Sequence, residues 1–302
     1  MTRGRLRNWR FALVLLWLAG AACGQGLPTA PPAEVGLSQE GLDRLTAVMQ
    51  QQVDNHKVGG AVALIARHGK VAYLKGCGMR DRDAGAPMET DTIFRIASMS
   101  KPITSAAVMV LYDEGRLRLD DPISKFIPEF KNASVLTEDG SVVPAKREVT
   151  LEHLLTHTSG LTYQWNPCLG DRYSKAGITH GLLQDEGTLA TKIPVLARQP
   201  LLFQPGEKWE YGLSIDVLGR VVEVASGLPF DGFLRKRLFE PLRMPDTGFF
   251  LAETQVPRLA AVYGPDGKGG LKQYGDETLG QGAAQAVEAH LVVRRDEHGR
   301  VG

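Results

Sequence analysis

The sequence predicts an α+β fold: an antiparallel sheet flanked by helices, carrying a mainly helical inserted subdomain, with the sheet left incomplete toward the C-terminus. Three observations predict it. The folded part opens as helix, hairpin, helix between residue 38 and about residue 114. Helical periodicity then outweighs strand alternation from Leu117 to about Phe250, and no strand pattern occurs between Glu277 and Gly302. The organisation that follows is a leader over 1–22, a linker over 23–36 and one domain over 37–302, within which 117–250 is the helical subdomain and 277–302 an atypical tail.

Taken in order, Arg3, Arg5, Arg7 and Arg10 precede an apolar run from Phe11 to Ala22, too short to span a bilayer with ease but suited to a secretory signal. Ala19-Gly20-Ala21 offers small residues for cleavage, and the alternative is an uncleaved membrane anchor. Cys23 after Ala21-Ala22 also resembles a lipoprotein signal, although Gly20 stands where that pattern usually has an aliphatic residue. Export, to a periplasm or outside the cell, is the expectation, with a lipid anchor at Cys23 as its variant. Pro28, Pro31 and Pro32 mark the linker. Ser38 caps a helix whose face is Leu42, Leu45, Met49 and Val53, ending near His56.

Gly60 to Ala66 and Val71 to Leu74 flank Arg67-His68-Gly69-Lys70, a hairpin with its turn at Gly69. Its first strand is almost wholly apolar, which predicts burial on both faces. Further on, Asp120 to Phe130 reads as a short helix between prolines, Thr150 precedes another at Leu151, and Ser214 to Ser226 carries Ile215, Leu218, Val222 and Ala225 on one stripe before Gly227. Gly264 to Gly270 has strong turn chemistry.

The chemistry is expected at Ser98-x-x-Lys101. A hydroxyl and an ammonium three residues apart become neighbours on a helix. Ile103, Ala106, Ala107, Val110 and Leu111 recur at helical spacing, Gly115 supplies a stop, and Pro102 is tolerated only in a first turn. Ser98 is therefore placed at the positive end of a helix, where the charge of an attacking alkoxide is favoured. A serine needs a base, and Lys101 can serve once burial or a second cation disfavours its ammonium form. Alone, the motif reads better as an N-cap and a solvated lysine, since two fixed positions match by chance in many chains.

Composition excludes several classes. Net charge is +1 with acids and bases interspersed, so nothing points to nucleic acid. There is no G-x-S-x-G elbow, P-loop or G-x-G-x-x-G, so neither an α/β-hydrolase nor a nucleotide or other cofactor is indicated. His153-x-x-x-His157 has the spacing of a zinc pair but lacks the intervening Glu and a third ligand, and structural histidines are the better reading. Cys23, Cys77 and Cys168 do not make a disulfide framework; one Cys77–Cys168 bridge is possible, unpaired thiols the preferred expectation.

Jointly the motifs resemble the serine β-lactamase and penicillin-recognising superfamily, in particular its class C β-lactamase and family VIII carboxylesterase branch. Ser98-Met99-Ser100-Lys101 matches the nucleophile helix, Leu154-Leu155-Thr156-His157-Thr158-Ser159-Gly160-Leu161 a hallmark segment, and Phe203-x-Pro205-Gly206-x-x-Trp209-x-Tyr211 the lead-in to the second motif. Asp216-Val217-Leu218-Gly219 and Pro241-Leu242-x-Met244-x-x-Thr247-x-Phe249 also match, so the resemblance covers about residues 37 to 276. It implies a β-lactamase/transpeptidase-like fold and a catalytic set of Ser98, Lys101 and Tyr211, in which Ser98 forms the acyl-enzyme and Tyr211 shares proton transfer with Lys101. The implied partner is a small-molecule acyl substrate.

The sequence departs from that pattern in three places. Gly212-Leu213-Ser214 follows Tyr211 where the family often has Ser or Asn, leaving Ser214 as the candidate polar group. Arg243 replaces a usual Gly. No Lys-Thr-Gly or His-x-Gly strand is found, and Lys268-Gly269-Gly270 reads as surface; the expectation is a truncated or frame-shifted chain whose activity is impaired, since one lost oxyanion donor costs about 3–4 kcal/mol. Two function classes remain: an exported serine hydrolase acting on an ester, amide or β-lactam, and a non-catalytic relative or inactive fragment. Among substrates an ester is favoured, because Tyr211-Gly212-Leu213 is not the Tyr-x-Asn of class C enzymes.

Overall fold

The computed structural model describes residues 27–179 and 187–274. The expected leader, Cys23 and the tail over 277–302 lie outside the described residues. Among the described residues no helix is long and apolar enough to cross a membrane.

Helix α1 spans Gln39–Asp54, and the Ser38 hydroxyl accepts from the Gly41 N–H at 3.2 Å, as its position ahead of the apolar stripe requires. Strands β1 (Gly60–Arg67), β2 (Lys70–Asp81) and β3 (Ala86–Pro87) form one antiparallel sheet in that order. The hairpin turns at His68 and Gly69, both left-handed with φ of 52° and 71°, which matches the twist of a two-residue connection. α1 lies on this sheet, the Thr46 and Tyr73 hydroxyls meeting at 2.8 Å.

Two sheet expectations are corrected. β2 runs on to Asp81, well past Leu74, because Lys75 to Gly78 continue to pair with Ala63 to Gly60. β1 is not covered on both faces: Leu64 is 56% exposed, and among the described residues β1 forms the edge of the sheet. Apolar side chains on the solvent face mimic the pattern of a buried strand. Part of the stretch read as a linker is also packed down, with Ala30 N–H donating to Val71 O and Val71 N–H to Pro28 O, ahead of a 3₁₀ turn at Pro32–Val35.

The core belongs to the helical part. Helix α2 (Ser100–Asp113) packs on α6 (Ser214–Ser226), which also meets α3 (Leu151–Leu155), α5 (Leu189–Ala197) and α7 (Phe230–Leu234); α4 spans Gly170–Lys175. Leu111, Leu154, Leu161, Tyr173, Val217, Leu218, Val221 and Leu234 are fully enclosed here. Three details differ from the sequence reading. Asp120 to Phe130 forms two 3₁₀ turns, Ile123–Lys125 and Pro128–Phe130, since two prolines and a single-turn spacing leave no room for an α-helix. A small hairpin, β4 (Ser134–Leu136) with β5 (Val142–Pro144), interrupts the helices. On α2, Thr104 and Val108 are buried and Ala106 is not, which rotates the inward face onto Lys101. The turn over Gly264 to Gly270 joins β6 (Tyr263–Pro265) to β7 (Leu271–Gln273).

Candidate active site

Ser98 lies in a 3₁₀ turn, Ala97–Met99, immediately before α2. Ala97 is left-handed at φ 41°, a costly conformation for alanine that turns the chain so that Ser98 faces solvent at the helix entrance. Lys101, one turn on, is 8% exposed and shares the inward stripe with Thr104, Val108 and Leu111. Its Nζ donates to Ser98 Oγ at 3.3 Å. Ser98 and Lys101 thus meet as a helical i, i+3 pair with the ammonium on the dry side.

Tyr211 arrives from the loop that leads into α6, and its hydroxyl donates to Ser98 Oγ at 2.7 Å. Two segments interlock to deliver it. The Glu210 N–H donates to His157 O at 2.9 Å and the Gly206 N–H to Thr158 O at 2.8 Å. The Glu210 carboxylate accepts from Thr162 Oγ1 at 2.7 Å and from Asn166 Nδ2 at 3.1 Å. A Cβ at Gly212 would stand 2.5 Å from Thr162 Cα and 2.6 Å from Leu161 O, so only glycine lets the two backbones approach this closely. Ser214, the candidate polar group, is fully buried and bonds Ser159 Oγ at 2.9 Å; it pins α6 to the hallmark segment and leaves Ser98 to the other two groups. Together the structure brings Ser98, Lys101 and Tyr211 into mutual contact, with Lys101 Nζ also lying 4.7 Å from the centre of the Tyr211 ring.

Tyr163, which the sequence reading missed, and His157, which it took as a structural histidine, complete the surroundings. Lys101 Nζ reaches the Tyr163 hydroxyl at 3.4 Å. Burial first, and the charge of Asp216 second, push the Tyr163 phenol far above its ordinary range, so it stays neutral beside the ammonium. His157 sits under Tyr211, ring centres 4.8 Å apart, and its buried Nδ1 has no hydrogen-bond partner. Burial, reinforced by the Lys101 charge, lowers it to about 4, so it is an uncharged platform at neutral pH. Tyr163 stands in a mixed polar and aromatic loop, Leu161-Thr162-Tyr163-Gln164-Trp165, and nothing local marks it as a site residue.

The two histidines with zinc spacing have separate structural work. His153 Nδ1 accepts from the Thr150 N–H at 3.2 Å while Thr150 Oγ1 accepts from the His153 N–H, a reciprocal cap on α3. Among the described residues no group of three metal-binding side chains occurs. Cys77 and Cys168 are both free thiols. A cavity of about 570 Å³ between Phe130 and Glu148 contains none of the three site residues.

A serine hydroxyl at a helix entrance, with an amine one turn on and a phenol from the α6 loop, is the constellation of the penicillin-recognising class of serine enzyme. The chain belongs to the β-lactamase family, whose model matches residues 45–289. It is 42% identical over 220 residues to the esterase EstB of Burkholderia gladioli, covering 73% of this chain and 54% of that protein. It is 33% identical over 214 residues to the lovastatin esterase of Penicillium rubens, covering 68% and 52%. Among solved structures it superposes on EstCE1, a hydrolase with promiscuous acyltransferase activity, with a TM-score of 0.71 and 33% identity over 86% of this chain and 66% of that one. The chain thus spans about half the length of these two esterases.

Proposed function

We propose that this protein is an exported serine hydrolase that cleaves carboxylic esters through an acyl-enzyme. The observation that carries the reading is the convergence of Lys101 Nζ and Tyr211 Oη on Ser98 Oγ, at 3.3 and 2.7 Å. Ser98 Oγ attacks the acyl carbon while its proton passes to the Lys101 amine or the Tyr211 phenolate, whichever is unprotonated. Collapse of the tetrahedral intermediate breaks the bond to the alcohol, which takes that proton and leaves. Water then attacks the acyl-enzyme through the same group, releasing the acid and restoring Ser98. An alcohol in place of water would give acyl transfer by the same route.

An ester is favoured over a β-lactam because Gly212 and Leu213 follow Tyr211, and because the relatives named above carry esterase names. Export rests on the Arg-flanked apolar run over 11–22. The test is to treat the purified chain with a fluorescent fluorophosphonate, a fluorescent penicillin and short p-nitrophenyl esters beside a Ser98→Ala variant. Fluorophosphonate labelling and ester hydrolysis that both vanish with Ser98 support the proposal. Labelling that is absent, or that survives the substitution, rejects it; turnover of penicillin in preference to ester rejects the substrate assignment.

A further inference from the structure

Two tryptophans stand open to solvent beside this site, Trp165 at 61% and Trp209 at 65% exposure. For the largest apolar side chain that is unusual, and their placement is not scattered. Trp165 stacks on Tyr163 with ring centres 4.3 Å apart, and Tyr163 is the phenol that touches Lys101. Trp209 faces Tyr211 with ring centres 6.2 Å apart and planes inclined by 25°, and Tyr211 is the phenol that touches Ser98. The two phenol rings are themselves 5.7 Å apart. The result is one chain of ring contacts, Trp165, Tyr163, Tyr211, Trp209, with the site groups at its middle and an open indole at each end, Tyr163 itself being buried beneath them.

His157 backs these rings, edge-on to Trp209 at 6.3 Å and against Tyr211 at 4.8 Å, and is uncharged at neutral pH. The Glu210 carboxylate, between Trp209 and Tyr211 in sequence, is tied down by Thr162 and Asn166. A flat aromatic group stacks well on an open indole, and with the Lys101 charge already seated against the inner side of Tyr211 the exposed indoles beside Ser98 suit an aromatic ring better than a short alkyl chain.

We infer that Trp165 and Trp209 form an aromatic subsite that binds the ring system of an aryl ester and holds its acyl carbon over Ser98. The inference rests on the ester-hydrolase reading for the identity of its ligand, and its test is built to fail separately. In the full chain carrying Ser98→Ala, which cannot turn the ligand over, binding of 2-naphthyl acetate and of ethyl acetate is measured by calorimetry. The same is done with Trp165→Ala and Trp209→Ala added singly, and with each indole changed to Phe. The naphthyl ester is expected to bind and the ethyl ester not; each Ala change weakens naphthyl binding about 5- to 50-fold, and each Phe change recovers most of the loss.

Naphthyl binding that is unmoved by either Ala change overturns the subsite. So does a dimer of the chain that dissociates on the same changes, since the indoles would then belong to a second copy. Indole-dependent naphthyl binding on a protein whose Ser98 is never labelled keeps the subsite and removes the hydrolase; Ser98 labelling with indole-independent binding does the reverse.

Discussion

The Tyr211 hydroxyl donates to Ser98 Oγ at 2.7 Å across 113 residues of sequence. A phenol in that position can give or take the proton of the nucleophile, which a phenyl ring cannot. Tyr211→Phe is expected to lower kcat on a p-nitrophenyl ester about 100- to 10,000-fold with little change in KM, measured by steady-state kinetics. An equal effect on KM alone would assign Tyr211 to binding.

Gly212 gives a stability prediction. Its missing Cβ is what allows the Tyr211 loop to lie against Leu161 and Thr162, and backbone atoms at 2.5 and 2.6 Å cannot rotate aside. Gly212→Ala is expected to destabilise the fold by about 2 kcal/mol or more and to displace Tyr211, read as a lower urea midpoint together with lost activity.

His157 sets an acid limit. Its folded value of about 4 lies below the ordinary 6.5, so between those values the unfolded chain binds the proton that the folded chain refuses. Stability is therefore full above about pH 6.5 and falls as pH drops toward 4. His153, whose capping Nδ1 is also held down by burial, acts in the same direction. With partial exposure discounted, His157 contributes on the order of 1 kcal/mol across that window. Urea midpoints from pH 7.5 to 4.5 should fall in the native chain and fall less in His157→Phe.

Arg243 stands where the resembling family has glycine, and the structure explains the glycine: φ is 52°, in the left-handed region. Arg243 is exposed. Arg243→Gly is expected to stabilise by about 0.5–1 kcal/mol without changing ester turnover, read as a rise in Tm.

Local signals were the legible ones. Ser38 ahead of α1, Gly69 in the hairpin turn and Gly227 after α6 each act within a few residues, and each is found where its chemistry puts it. The hairpin pairing of β1 was legible, but its burial was misjudged because Leu64 is apolar and exposed, so composition could not report which face met solvent. Tyr211 was reachable only through a family resemblance, since nothing in its own spacing distinguishes it from a core tyrosine. Tyr163, Trp165 and the platform role of His157 were not reachable, because aromatic residues in a loop carry no periodicity to read.

By itself the sequence determined the pairing of Ser98 with Lys101, because an i, i+3 relation on a helix is fixed by backbone geometry within a single turn. Which phenols met that pair, how dry Lys101 became and which indoles stayed in water were decided only when the 157–163 and 206–214 segments locked together at Gly212 and Ser214. Those outcomes depend on contacts between stretches some fifty residues apart, and no local preference of either stretch encodes them.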